Sequence, residues 1–223
     1  MTGSRISATS LLRETFATAG SLYAPLLIIC SPRLIFAALN SFDNLVLATF
    51  AFNIIYWFVV VPLLSGAMIF YSYRDLTKNQ VTVGQAFTQA NRRLLQLIAV
   101  YIMCLLLVCA GFIALIIPGV YVSYRLMFSS YATVIDNSSA LDSLSSSWEL
   151  TKGRWWLVFR STLLIIFVVS VPIISISLLI DPTGKSVAYQ LAANLLGFLA
   201  GPLMNVYFVL LYLRLRESAA SIK

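Results

Sequence analysis

Residues 94–135 read LLQLIAVYIMCLLLVCAGFIALIIPGVYVSYRLMFSSYATVI, and this stretch decides the fold. It holds a single charged residue, Arg125, in 42 positions. A bilayer core is about 30 Å thick, so a helix rising about 1.5 Å per residue crosses it in about 20 apolar residues. The run is too long for one crossing and right for two. Pro118-Gly119, near its middle, predicts the break.

Outward from this stretch the same arithmetic predicts six crossings, at 21–39, 45–70, 94–116, 120–135, 156–180 and 187–213. The composition agrees. Apolar residues make up 60% of the 223, while fifteen Lys or Arg and eight Asp or Glu amount to 10%; a soluble domain carries roughly 25%. Too few polar groups are present to cover a water-soluble globule, and too many apolar and aromatic ones for a disordered chain. The expected fold is an all-α polytopic bundle, a single integral membrane domain over 1–223.

The basic residues give the sidedness. Arg5 and Arg13 precede the first crossing. Arg74, Lys78, Arg92 and Arg93 lie between the second and third, Lys152, Arg154 and Arg160 at the start of the fifth, and Arg214, Arg216 and Lys223 after the sixth. Arg33 and Lys185 fall on the other side. The positive-inside rule places both termini in the cytoplasm, with the inner (plasma) membrane as the expected location. The first apolar run begins only near Leu22, which does not fit a cleavable signal peptide. Leu27-Ile28-Ile29-Cys30 does not fit a lipidation site.

Three amphipathic segments on that side, at 8–20, 83–93 and 139–155, are expected to lie at the membrane surface. In the second, Thr82 and Gln85 fit a capping box, after which Val83, Ala86, Phe87 and Ala90 recur at helical spacing. Ser139 and Asp142 suggest another box, opening a helix through Leu141, Leu144 and Trp148. The chain thus parses as three units, each a surface helix followed by two crossings. Leu26-Leu27-Ile28-Ile29 is echoed by Leu163-Leu164-Ile165-Ile166, and the spacing from Pro62 to Arg74 by that from Pro202 to Arg214.

Catalytic chemistry finds little foothold. The chain has no histidine, hence none of the commonest general base or metal ligand. Cys30, Cys104 and Cys109 sit in apolar runs without metal spacing and are expected to act as small hydrophobes. No P-loop, dinucleotide fingerprint or zinc spacing occurs, so no cofactor or metal and no enzymatic activity are expected. The serine-rich 143–147 is explained by capping and solvation. The cations are too scattered for a nucleic-acid face.

Ile117-Pro118-Gly119-Val120-Tyr121-Val122-Ser123-Tyr124-Arg125, then Ala140-Leu141-Asp142, then Ser147-Trp148-Glu149-Leu150-Thr151-Lys152-Gly153-Arg154-Trp155-Trp156, form an ordered series. From about Val83 onward, through Leu211-Tyr212-Leu213-Arg214, the chain resembles bacterial membrane proteins grouped with the membrane domain of glycerophosphoryl diester phosphodiesterases. In the fused members hydrolysis belongs to a separate soluble domain that uses histidine and metal-binding carboxylates. The resemblance therefore implies a six-helix membrane module and carries over no phosphodiesterase activity.

Two sets of residues stand out. Trp148, Lys152, Arg154, Trp155 and Trp156 combine headgroup-level tryptophans with cations, a pattern suited to anchoring or to binding anionic lipid headgroups or a partner membrane protein. Gly153 is placed to end the preceding helix. Arg125, with Pro118, Gly119, Pro202 and Asn205, is the intramembrane set. A buried arginine needs a partner or a route to the headgroups; Asp43 and Asp181 are the candidate acids, and outward snorkelling the alternative. The leading expectation is a non-enzymatic lipid- or partner-binding module. The rival is a transporter or lipid-translocating protein for a small or amphiphilic anionic substrate, with Arg125, Ser123, Asn205 and Tyr207 lining a polar path.

Overall fold

The computed structural model describes residues 7–39, 52–182 and 186–220. Arg5, Asp43, Lys185, Lys223 and positions 45–51 of the second expected crossing lie outside the described residues. All regular elements among the described residues are helices: α1 (Ala8–Cys30), α2 (Pro32–Leu39), α3 (Phe52–Leu76), α4 (Val83–Arg92), α5 (Leu94–Ala114), α6 (Ile116–Leu126), α7 (Ser129–Ile135), α8 (Ala140–Thr151), α9 (Trp155–Ile180) and α10 (Val187–Ala220). Four of them, α3, α5, α9 and α10, are long and apolar enough to cross a membrane. A fifth crossing results if the pair Ala8–Gly20 and Leu22–Leu34, bent by 84°, counts as one.

The core gathers Leu22, Leu26 and Ile29 of α1, Ala67 and Met68 of α3, Val158 and Ile165 of α9, and Val206, Tyr207, Leu210 and Leu211 of α10. Apolar side chains also face outward. Ile113 and Ile117, at the tip of the α5–α6 hairpin, are 87% and 82% exposed, and Phe167 and Leu179 of α9 are exposed too. One end of the bundle is cross-tied by polar groups. Arg214 meets Glu14 at 3.1 Å, Arg216 meets Asp136 at 2.8 Å, and Tyr212 donates to Asp136 at 2.6 Å.

The expected break at Pro118 lies three residues earlier. Leu115 alone is extended (φ −173°, ψ 161°), and Pro118 stands in the first turn of α6, where its missing N–H costs no hydrogen bond. Gly119 then backs onto Gly111. A Cβ on Gly111 would lie 2.9 Å from the Gly119 Cα, so the two backbones touch where the hairpin closes.

The expected fourth crossing, 120–135, is two short helices. Ser147, reaching in from α8, accounts for the interruption. Its hydroxyl accepts from the Phe128 N–H at 3.1 Å and donates to the Arg125 carbonyl at 2.7 Å, satisfying both backbone groups freed at the bend.

The segments expected at the surface also differ in detail. The 8–20 segment is continuous with the following residues as α1, yet is bent by 84° from Leu22–Leu34. α4 carries the full Thr82–Gln85 capping box, and its apolar stripe packs into the core, with Ala86 and Ala90 buried. The 139–155 segment ends at Thr151. Gly153, at φ +71°, then turns the chain into α9, a conformation glycine adopts without penalty. At Ser139 only half a box forms: the hydroxyl caps the Asp142 N–H and donates to the Asp142 carboxylate. Ser143 and Ser147 are fully buried while Ser145 and Ser146 are exposed, so solvation accounts for only half of this serine run. Thr133 donates to Ser143 at 2.8 Å, tying α7 to α8.

Candidate functional site

The structure joins the two expected sets of residues. Arg125, near the end of α6, is 3% exposed, and its guanidinium carbon lies 4.4 Å from the centre of the Trp148 ring and 5.7 Å from that of Tyr121. Tyr121 also meets Trp155 edge-on at 5.8 Å. From there the rings continue through Trp156 at 5.4 Å and Phe159 at 5.3 Å, and Phe159 meets Tyr124. Residues 27 positions apart in sequence, Tyr121 and Trp148, thus form one aromatic enclosure around a cation. A desolvated cation over a tryptophan face is stabilised by about 2 kcal/mol or more.

Arg125 does not snorkel outward. Among the described residues no carboxylate forms an ion pair with it, and its buried Nε has no hydrogen-bond partner. Of the two candidate acids, Asp43 lies outside the described residues, and Asp181 accepts from the Ser186 N–H at 2.7 Å. The Arg125 carbonyl, in turn, takes hydrogen bonds from Ser147 and Thr151. Side chain and backbone of Arg125 are therefore both gripped by α8.

Within the Trp148–Trp156 set the roles divide. Arg154 donates to the carbonyls of Leu215 and Ser218 at 3.2 and 3.1 Å, tying the start of α9 to the last turns of α10. Lys152 is exposed, 3.8 Å from Glu149. Trp156 is 55% exposed. Trp148 and Trp155 are half-buried beneath it. A packed aromatic stack thus presents one open tryptophan with an exposed cation nearby in sequence.

The remaining residues of the Arg125 set are held apart. Gly119 serves the hairpin contact with Gly111. Pro202, inside α10, removes the N–H that would bond to the Phe198 carbonyl. Asn205 accepts from the buried Ser72 at 2.7 Å, Tyr207 donates to the Ser161 carbonyl at 3.0 Å, and Ser123 donates to the Val120 carbonyl. Ser123 also lines a small cavity of about 210 Å³ with Tyr101 and Cys104.

A family model described as a domain of unknown function (DUF7847) matches residues 80–215, which include every one of these candidate side chains. The chain belongs to the DUF7847 family. No curated protein and no solved structure matches it. The DUF7847 segment begins just before α4 and closes near the end of α10, so α1, α2 and α3 lie outside it.

Three features escaped the sequence analysis. Ser147 makes the α6–α7 bend, and no Pro or Gly marks it. Gly111 and Gly119 lie four residues either side of Leu115, a symmetry that signals a close hairpin. Arg74 and Arg92 entered through charge and spacing, yet both line a polar cavity between α3 and α4. At the other end of α3, Arg33, Tyr56, Trp57, Gln190 and Asn194 line a cavity of about 450 Å³.

Proposed function

We propose that this protein is a non-enzymatic membrane module that binds anionic lipid headgroups through the Trp148–Trp156 segment. The observation that carries this reading is the open face of Trp156 on a ring stack held in place by Tyr121 and Arg125. An amphipathic ring fixed at one depth suits the headgroup region, and Lys152 and Arg160 supply exposed positive charge close by in the chain.

The six-crossing topology belongs to the same proposal. It counts the bent pair in α1–α2 as one crossing and the two short helices α6 and α7 together as another, beside α3, α5, α9 and α10. The cross-ties from Arg214 to Glu14 and from Arg216 to Asp136 support a common side for the termini. The basic residues assign that side to the cytoplasm of the inner membrane. Against the transporter reading, Ser123, Arg125, Asn205 and Tyr207 are each engaged with a different partner rather than facing a shared path.

The test is lipid retention. The full chain, purified into nanodiscs of mixed phosphatidylcholine and phosphatidylglycerol, is expected to enrich the anionic lipid, as read by mass spectrometry of tightly held lipids. Trp156→Ala with Lys152→Gln is expected to remove the enrichment while preserving the melting temperature. Equal retention by wild type and variant overturns the reading. Loss of a co-purified protein instead of lipid would replace the lipid with a partner.

A further inference from the structure

We propose that the cavity between the end of α3 and α4 is a binding site for a phosphate group, carried by a lipid headgroup or free in solution. The site is distinct from the Trp148–Trp156 surface and does not depend on it. The cavity holds about 390 Å³, within the roughly 300–1,000 Å³ typical of small-molecule sites. Its polar lining is Arg74, Gln80, Gln85, Thr88, Gln89 and Arg92, and no carboxylate is among the lining residues.

The donors are set and largely unused. Arg74 lies with its guanidinium carbon 5.7 Å from the centre of the Phe70 ring, and its buried Nε has no hydrogen-bond partner. Among the described residues neither Arg74 nor Arg92 forms an ion pair. The Gln85 oxygen accepts from the Thr82 N–H at 2.9 Å, which fixes that amide and leaves its NH₂ as a donor. The Thr88 hydroxyl donates to the Gly84 carbonyl, so it offers only lone pairs. Gln89 reaches Asn137 only at 3.4 Å.

Two guanidinium groups with carboxamide donors and no acid match the anionic, acceptor-rich surface of a phosphate. Arginine is the side chain whose fork meets phosphate oxygens two at a time. The walls are firm. Ala86 and Ala90 bury against the core, and a Cβ on Gly66 would meet Leu97 at 2.6 Å, so α4 and α5 are seated closely on α3. The cavity lies at the end of the bundle where the cations gather, the level of the headgroups in the proposed topology.

The experiment uses the full chain in phosphatidylcholine nanodiscs, with two probes. One is inorganic phosphate, titrated and followed by ³¹P line broadening. The other is phosphatidic acid doped into the disc, with retention read by native mass spectrometry. Wild type is expected to bind at least one probe, and which one identifies the source of the phosphate. Arg74→Gln and Arg92→Gln are each expected to weaken that binding by about tenfold or more. Gln89→Glu, which adds a negative charge to the cavity while keeping both arginines, is expected to abolish it and serves where the arginine variants fold poorly. Trp156→Ala is expected to leave it unchanged. Failure of both probes with wild type overturns the proposal. So does wild-type binding by Gln89→Glu or by the double arginine variant, or equal loss in Trp156→Ala.

Discussion

Arg125 and Arg74 are built alike up to a point. Each lies toward the end of its helix, each has an aromatic ring against its guanidinium, and each has a buried Nε without a hydrogen-bond partner. They differ in what closes over them. Around Arg125, α8 and the start of α9 bring Trp148 and Trp155, and the side chain is almost wholly enclosed. Around Arg74, α4 leaves a cavity whose other walls are amides, a hydroxyl and a second arginine. An arginine over a ring is thus a structural clasp or a ligand-ready donor according to its third neighbour. The same residue pair does not reveal its role by itself.

The comparison breaks first at Trp148. Trp148→Ala removes the ring beneath an enclosed charge and is expected to cost about 3–5 kcal/mol, measured by denaturant unfolding in detergent micelles. A loss below about 1 kcal/mol would mean the enclosure contributes nothing to the fold. Next comes Ser147→Ala, which strips partners from the Phe128 N–H and the Arg125 carbonyl; the expected loss is about 1–3 kcal/mol in the same assay. A double-mutant cycle between Arg125→Met and Trp148→Ala should then return a coupling of about 1–2 kcal/mol. Coupling near zero would make Arg125 a bystander. Smallest is Arg74→Gln, expected to change unfolding free energy by less than about 0.5 kcal/mol, because its ring contact closes no core. A loss as large as that of Trp148→Ala would erase the distinction.

How legible these features were depends on the range of the physics. Helices long and apolar enough to cross a membrane, at 52–76, 94–114, 155–180 and 188–220, follow from runs of apolar residues, a local property; two of them, 94–114 and 155–180, agree with expectation to within two residues at both ends. The Thr82 box is local as well, a matter of one turn. Pro118 misplaced a break because proline disrupts a helix interior and is at home in a first turn, and sequence alone does not say which it occupies. The α6–α7 bend is illegible for a different reason. Its cause, the Ser147 hydroxyl, sits some twenty residues downstream, and serine in a serine-rich run carries no marker of burial. Arg125 and the tryptophans were visible as residues of interest. Their meeting was not, since it depends on how α8 folds back. The Arg74–Arg92 cavity hid behind the bookkeeping of sidedness, which records a cation and ignores what surrounds it.

The packing of α1 along α10, fastened by Glu14 and Arg214 two hundred positions apart, has a consequence for biogenesis. Ribosomes deliver α1 to the bilayer long before α10 exists, so its Leu22–Leu26–Ile29 face must wait, covered by lipid or by an insertion factor. Assembly of the bundle is therefore a late event in synthesis. Because those two helices are neighbours, a permuted gene that fuses them through a short linker and opens the chain at the tip of the α5–α6 hairpin would preserve every helix contact away from the cut.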